Sequence, residues 1–178
     1  NRKDFAIHPP ALTLCDYVQN ANKTVCAIGK INDIFSGKGI DKVLKGRNDS
    51  DLMKQLFEQV SLAKNDSLIF ANFVEFDSEY GHRRDVTGYA AALEWFDEKL
   101  GLLLKRLSPD DLLVITADHG NDPTWSGTDH TRERVPVLIS GRGNGSLDLI
   151  NFSDVGASIA EFMGVPYQGE GKSFFSDL

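Results

Sequence analysis

At 178 residues the chain has the length of one domain or slightly more, and its 41% hydrophobic and 25% charged residues are an ordinary globular balance that can bury a core. The net charge of -7 argues against a nucleic-acid or anionic-membrane surface and fits a soluble protein that offsets negative charge with bound cations. No apolar run approaches the ~20 residues of a membrane span, and Asn1-Arg2-Lys3-Asp4 leads into no apolar region, so a cytoplasmic setting without a signal peptide is expected.

In chain order, residues 1–10 end in His8-Pro9-Pro10, a stiff connector that reads as a linker entering a domain. The first residue is not Met, which reads as a fragment or a processed product. Leu14 to Ala21 has the pattern of a short helix with Leu14, Tyr17 and Val18 on one face, and Thr24 to Ile28 that of a buried strand. Cys15 and Cys26 fall in these two elements and read as reduced core thiols. A loop with Gly37 and Gly39 follows, too weak a motif to imply phosphate binding. Lys30, at the carboxyl end of the strand, reads either as a solvated side chain or as a cation for a substrate phosphate.

Asn48-Asp49-Ser50 can cap a helix from Asp51 to about Leu62, and Ser67 to Phe76 reads as the next strand. It runs into Asp77 and then Tyr80-Gly81-His82. Tyr89, Leu93, Phe96, Leu100, Leu103 and Leu107 form one apolar stripe of a long helix. A short apolar run, Leu112 to Ile115, stops at Asp118-His119-Gly120; His130 follows, and a strand resumes over Val135 to Ser140. Ser153 caps a last helix carrying Val155, Ile159 and Phe162, which Gly164 ends.

This order predicts a three-layer α/β/α architecture with a mainly parallel sheet. Ligands of such sheets bind outside the carboxyl ends of the strands. Asp77 with His82 and Asp118 with His119 both follow strand ends, so the two clusters are expected at one edge. Of four His residues, three (His82, His119 and His130) fall in these loops, each with an Asp nearby. Asp and His without Cys describe an oxygen and nitrogen site for Zn, Mn or a similar divalent ion. Five ligands suit two ions sharing a cluster, the arrangement used in phosphoryl transfer.

The stretch Thr116-Ala-Asp-His-Gly-Asn-Asp-Pro-Thr-Trp-Ser-Gly-Thr-Asp-His-Thr-Arg-Glu133 resembles the carboxyl-terminal signature of the phosphopentomutase family, within the alkaline phosphatase superfamily. Phe76-Asp77 with Tyr80-Gly81-His82-Arg83-Arg84-Asp85 resembles its other metal motif, and Ala27-Ile28-Gly29-Lys30-Ile31 with Asp33-Ile34-Phe35 is also similar. The resemblance implies an alkaline phosphatase-like core, present in part, with residues 1–10 a linker from a cap domain and 11–178 the carboxyl-terminal part of the catalytic core. It further implies that Asp77, His82 and His130 bind one Mn2+ and that Asp118 and His119 bind another. The implied reaction interconverts (deoxy)ribose 1-phosphate and (deoxy)ribose 5-phosphate through a phosphorylated Thr, in nucleoside catabolism. The family motifs carrying that Thr and an amino-terminal metal-binding Asp do not occur in these residues, so no catalytic nucleophile is assigned here. Thr116, Thr128 and Thr131 lie near the ligands but do not match the nucleophile's motif. The expected partners are a sugar phosphate and the amino-terminal core and cap segments, with no nucleic acid and no membrane. A cofactor-independent phosphoglycerate mutase or an alkaline phosphatase-like hydrolase shares the Asp-His-Gly logic, and a non-catalytic metal-binding fragment is the alternative from another class.

Overall fold

The strand read at Thr24–Ile28 forms as β1 in the computed structural model, which describes residues 7–177. The first six residues of the expected linker lie outside the described residues; His8 is exposed. The chain divides into two compact units: residues up to 46 with 62–72 and 142 onward, and residues 47–61 with 73–141.

The first unit is built on a parallel sheet in the order β2-β1-β3. β1 is flanked by β2 (Lys42–Leu44) and β3 (Ser67–Ala71), in register from Thr24 opposite Ser67 to Ile28 opposite Ala71. Val25, Cys26, Ala27 and Ile28 are all buried, the continuous apolar run expected of a central parallel strand. α1 (Leu14–Asn20) opens on Thr13, whose hydroxyl faces the Asp16 amide while the Asp16 carboxylate accepts from Thr13 N–H at 2.8 Å. Cys15 and Val18 of α1 pack with Val25, Ala160 and Val165 as the core of this unit. Both Cys are free and buried, and burial pushes the Cys15 thiol up to about 11, so it stays a neutral, core-filling group.

Two elements of this unit escape a reading by periodicity. The short helix α2 (Ile31–Ile34) and the three-residue β2 lie in what reads as one long loop, because neither is long enough to show a repeat. Gly39 between them has φ +69°, and a Cβ there would strike the backbone of Asp16. The last helix, α5 (Phe152–Phe162), starts two residues earlier than Ser153 as a cap implies; Asn151 takes that place, its N–H bonded to Asp154 at 2.8 Å. Asp154 also accepts from Lys172 N–H, and these backbone bonds hold its carboxyl below the usual range. Ser158 Oγ, fully buried, accepts from Phe174 N–H at 3.0 Å. These bonds draw the tail onto α5, where Phe174 and Phe175 are buried.

The second unit holds α3 (Asp49–Leu62, all but its last residue), a π-helical turn (Phe76–Gly81), α4 (Val86–Leu104) and the antiparallel pair β4 (Leu113–Thr116) and β5 (Val137–Ser140). The expected strand over Ser67 to Phe76 ends early, at Ala71. Its continuation is claimed by Asp49, whose carboxylate accepts from Val74 N–H at 3.0 Å and Glu75 N–H at 3.2 Å, while Glu75 accepts from Asp49 N–H at 3.1 Å. With their N–H groups engaged by a helix start, these residues cannot join a ladder. α4 ends at Leu104, so the expected stripe stops at Leu103 and does not reach Leu107; Phe96 stacks edge-on against both Phe73 and Phe76. The pairing of β4 with β5 is antiparallel because the chain returns through the 117–136 loop without a crossover helix. The fold is therefore mixed α/β with a three-stranded parallel sheet and a separate antiparallel pair. Among the described residues, no helix is long and apolar enough to cross a membrane.

Candidate metal centre

The second unit also contains the Asp/His cluster. Phe76–Gly81 winds as a π-helix, a geometry frequent at functional sites. Its wide turn bonds His82 N–H to Asp77 O at 2.9 Å, five residues back, so His82 comes round above Asp77. His82 Nε2 then stands 3.3 Å from Asp77 Oδ2.

The other half of the cluster comes from the loop after β4. Gly120 and Thr131 form an isolated antiparallel bridge, with Thr131 N–H donating to Gly120 O at 3.2 Å. This closes residues 121–130 into a lobe. A Cβ on Gly120 would collide with the Glu133 carboxylate, so the glycine of Asp-His-Gly leaves room for Glu133. The Thr131 hydroxyl accepts from Asp122 N–H at 2.6 Å and donates to Glu133 at 2.5 Å; it is occupied in closing the lobe. The Thr124 hydroxyl and N–H, and then the charge of Arg84, hold the Asp122 carboxyl below the usual range.

The two halves meet at the imidazoles. His130 Nε2 lies 3.2 Å from Asp77 Oδ1 and 3.1 Å from His82 Nε2. The His119 ring stacks on His130 with centroids 3.8 Å apart. One donor atom each from Asp77, His119 and His130 lie within 4.8 Å of one another. Asp118 is more exposed and stands 3.7 Å from His119 Nε2. Thus Asp77, His82, His119 and His130 are brought together, and Asp118 flanks them beside His119. Lys30 belongs to the first unit, where its exposed side chain follows β1; hydrogen bonds from Lys45 and then Asn32, and last the charge of Lys30, hold the Asp33 carboxyl below its usual range.

The donor chemistry fits a divalent cation. His82 Nδ1–H donates to Thr128 O at 2.5 Å, and His119 Nδ1–H faces Gly120 O at 3.2 Å. Both bonds turn Nε2 inward, and a backbone carbonyl behind a ligating imidazole is the usual support of a metal site. Two imidazole nitrogens and both oxygens of one carboxylate converge at 3.1–3.3 Å. Oxygen plus nitrogen donors without thiolate suit Zn, Mn and their neighbours. Nearby, burial first and then the charges of Asp77 and Glu133 push the Tyr89 phenol up, so it stays neutral.

Two participants are not apparent from ligand spacing alone. Asn121, buried, donates through Nδ2 to Asp77 Oδ1 at 2.6 Å. Its Oδ1 accepts from Arg84 Nη1 at 2.6 Å. Neither residue type ligates metals commonly, so a search for ligands passes over them. Their signal in sequence is only their adjacency to the His motifs.

Both the sequence and the fold resemble those of known proteins. The model of the metalloenzyme superfamily matches residues 17–167. A phosphopentomutase of Rhizobium etli is 49% identical over 98% of this chain and 44% of its own length. Phosphopentomutases of Shewanella denitrificans and Agrobacterium fabrum are 51% and 46% identical over the same shares. The chain thus spans under half the length of the curated relatives it matches. Among solved structures, the PH0037 protein from Pyrococcus horikoshii superposes with a TM-score of 0.60 at 20% identity, over 76% of this chain and 36% of that one, a likeness of fold. By its match over most of its length, the chain belongs to the metalloenzyme superfamily.

Proposed function

We propose that this chain is the carboxyl-terminal, metal-binding part of a phosphopentomutase, which interconverts (deoxy)ribose 1-phosphate and (deoxy)ribose 5-phosphate. The observation that carries this reading is the meeting of Asp77 and His82 with His119 and His130, two loops far apart in sequence, in a chain about half identical to phosphopentomutases. In this proposal Asp77, His82 and His130 hold one divalent ion, and Asp118 and His119 hold a second, both Mn2+. Bound ions would screen phosphate charge and stabilise an in-line phosphoryl transfer. The protein's own part is to hold the ligands ready: Thr128 O and Gly120 O orient two imidazoles, and Asn121 fixes the Asp77 carboxylate. Segments of the whole protein outside this chain supply a further Asp ligand, the Thr that carries the phosphoryl group between the two sugar oxygens, and the cap. Residues 1–10 link to that cap, and residues 11–178 belong to the catalytic core. Lys30 steadies a substrate phosphate as a point charge. The setting proposed is the cytoplasm and the role nucleoside catabolism.

The test is an assay of the whole protein with Mn2+ on ribose 1-phosphate and on phosphoglycerates. Conversion of ribose 1-phosphate is expected, and a preference for phosphoglycerates overturns the pentomutase reading. Residues 1–178 alone should bind metal yet show no mutase turnover, because a two-step exchange needs a group to hold the phosphoryl between steps. Full turnover by this chain would place the nucleophile within it.

A further inference from the structure

Arg84 stands at a junction that ligand chemistry does not explain. It is half-buried, and its backbone has φ +54°, a left-handed conformation unfavourable for a residue with a Cβ. A glycine would adopt that turn with less strain, so the side chain must serve a purpose there. Its guanidinium meets five acceptors. Nη1 lies 2.6 Å from Asn121 Oδ1 and 2.9 Å from both Gly81 O and Asp122 O. Nε donates to Gly127 O at 2.5 Å, and Nη2 to Asp129 O at 2.6 Å. Four of these five acceptors are backbone carbonyls. Their partial negative charges converge on one cation, and only a planar fork of donors can serve so many at once.

We infer that Arg84 is the positioning residue of the metal centre: through Asn121 it sets the Asp77 carboxylate, and through the carbonyls on either side of Thr128 it sets the His82 ring. The first route is short. Arg84 faces Asn121 Oδ1 and so turns Nδ2 toward Asp77, fixing the amide one way round. Gly81 permits it, since a Cβ there would lie 2.5 Å from Asn121 Nδ2. The second route passes through the lobe. Gly127 O and Asp129 O are held by Arg84, and Thr128 O between them accepts the His82 Nδ1–H bond. Asp129 also adjoins His130, so one side chain adjusts three ligands from two loops. Arg84 touches no ligand atom itself; its effect runs through Asn121 and Thr128. The inference rests on the metal reading above.

The experiment uses residues 1–178 with Mn2+ and Zn2+ as probes. Metal affinity is measured by calorimetry, folding by far-UV circular dichroism in EDTA, and the His82 tautomer by 15N chemical shifts in the metal-free chain. Arg84→Ala is expected to keep its helical signal, to lose the Nδ1–H preference at His82 and to bind metal about 10–100-fold more weakly, the usual effect of removing a group that orients a ligand. Arg84→Lys, which keeps the charge without the fork, should recover only a small part. Arg83→Ala, which loses an exposed pair with Glu79, serves as control and should bind as the wild type does. Folded Arg84 variants with unchanged affinity and tautomer overturn the inference and leave the metal reading standing. Wild-type chain that takes up neither ion overturns the metal reading and the inference with it. If both Arg84 variants fail to fold, the residue serves the fold and the positioning role is overturned.

Discussion

The two units of this protein are held together by different physics. In the first, Cys15, Val18, Val25, Ala27, Ile28 and Ala160 are almost wholly removed from water, and the parallel sheet sits among them. In the second, among the described residues, the buried apolar side chains are Leu52, Met53 and Leu103, while Asp49, Gln59 and Asn121 are buried polar groups. Order there depends on directed bonds: Asp49 with Glu75, Arg84 with its five acceptors, Asn121 with Asp77. Apolar burial is non-directional and tolerates small displacements, which suits a scaffold. Hydrogen bonds to charged groups impose distance and angle, which suits a set of metal ligands.

The largest effect should come from the scaffold. Ile28→Ala at the carboxyl end of β1, the central strand of the sheet, removes a fully buried side chain and should cost about 2–5 kcal/mol, measured as a shift in urea midpoint. A loss below ~1 kcal/mol would show that the first unit is not held by packing as described.

Next is the response to metal. An ion that binds only the folded chain stabilises it by about 2.7 kcal/mol at one hundred times its Kd. Mn2+ should therefore raise the unfolding midpoint of the wild type and do much less for Asp77→Asn. Hydrogen exchange should assign the gain to residues 76–82 and 119–131 and leave the amides of 24–28 unchanged. A gain spread evenly over both units would erase the distinction drawn here.

Asp49 sharpens the comparison through pH. Burial first, and the charge of Glu75 second, raise its carboxyl from 3.8 to about 6. The folded chain therefore holds this proton more tightly than the unfolded one does. The resulting stability is complete below about pH 4 and is lost as pH rises through about 6. The loss is on the order of 2–3 kcal/mol by linkage. Asp33, Asp51, Asp122 and Asp154 are shifted the other way; their contributions are present above the usual carboxylate range and fade only below it. In EDTA the wild type should therefore lose stability between pH 4 and 6 relative to Asp49→Asn. Parallel pH curves for the two proteins would mean that Asp49 does not titrate as its surroundings indicate.

The smallest effect serves as the baseline. Asp97→Asn lies on an exposed face of α4, away from both ligand loops, and should alter neither the urea midpoint nor Mn2+ affinity measurably. On the proposed pentomutase reading, Asp118→Asn, beside His119, should by contrast lower ribose 1-phosphate conversion by the whole protein while changing the fold little.

Much of this was legible in the residues because it depends on local rules. β1 is an uninterrupted apolar run and begins and ends where such a run must. α4 is long enough for its stripe to declare a helix, and Leu14, Tyr17 and Val18 mark one face of α1. The ligand types are legible too, since imidazole and carboxylate declare their chemistry wherever they lie, and the long motifs around His82 and His119 resemble a family. What failed was length and termination. β2 is too short to show a period, and β3 stops at Ala71 only because Asp49, more than twenty residues earlier, engages the amides of Val74 and Glu75.

The sequence by itself thus determined the kinds of element, the apolar faces and the metal-binding chemistry, each of which follows from neighbours a few positions away. Only the tertiary structure decided that residues 76–81 would wind as a π-helix, that β4 and β5 would run antiparallel, and that Arg84 would gather carbonyls from residues 81 to 129. Those outcomes depend on which distant donors and acceptors remain unsatisfied once the chain has closed, a quantity that no local pattern carries.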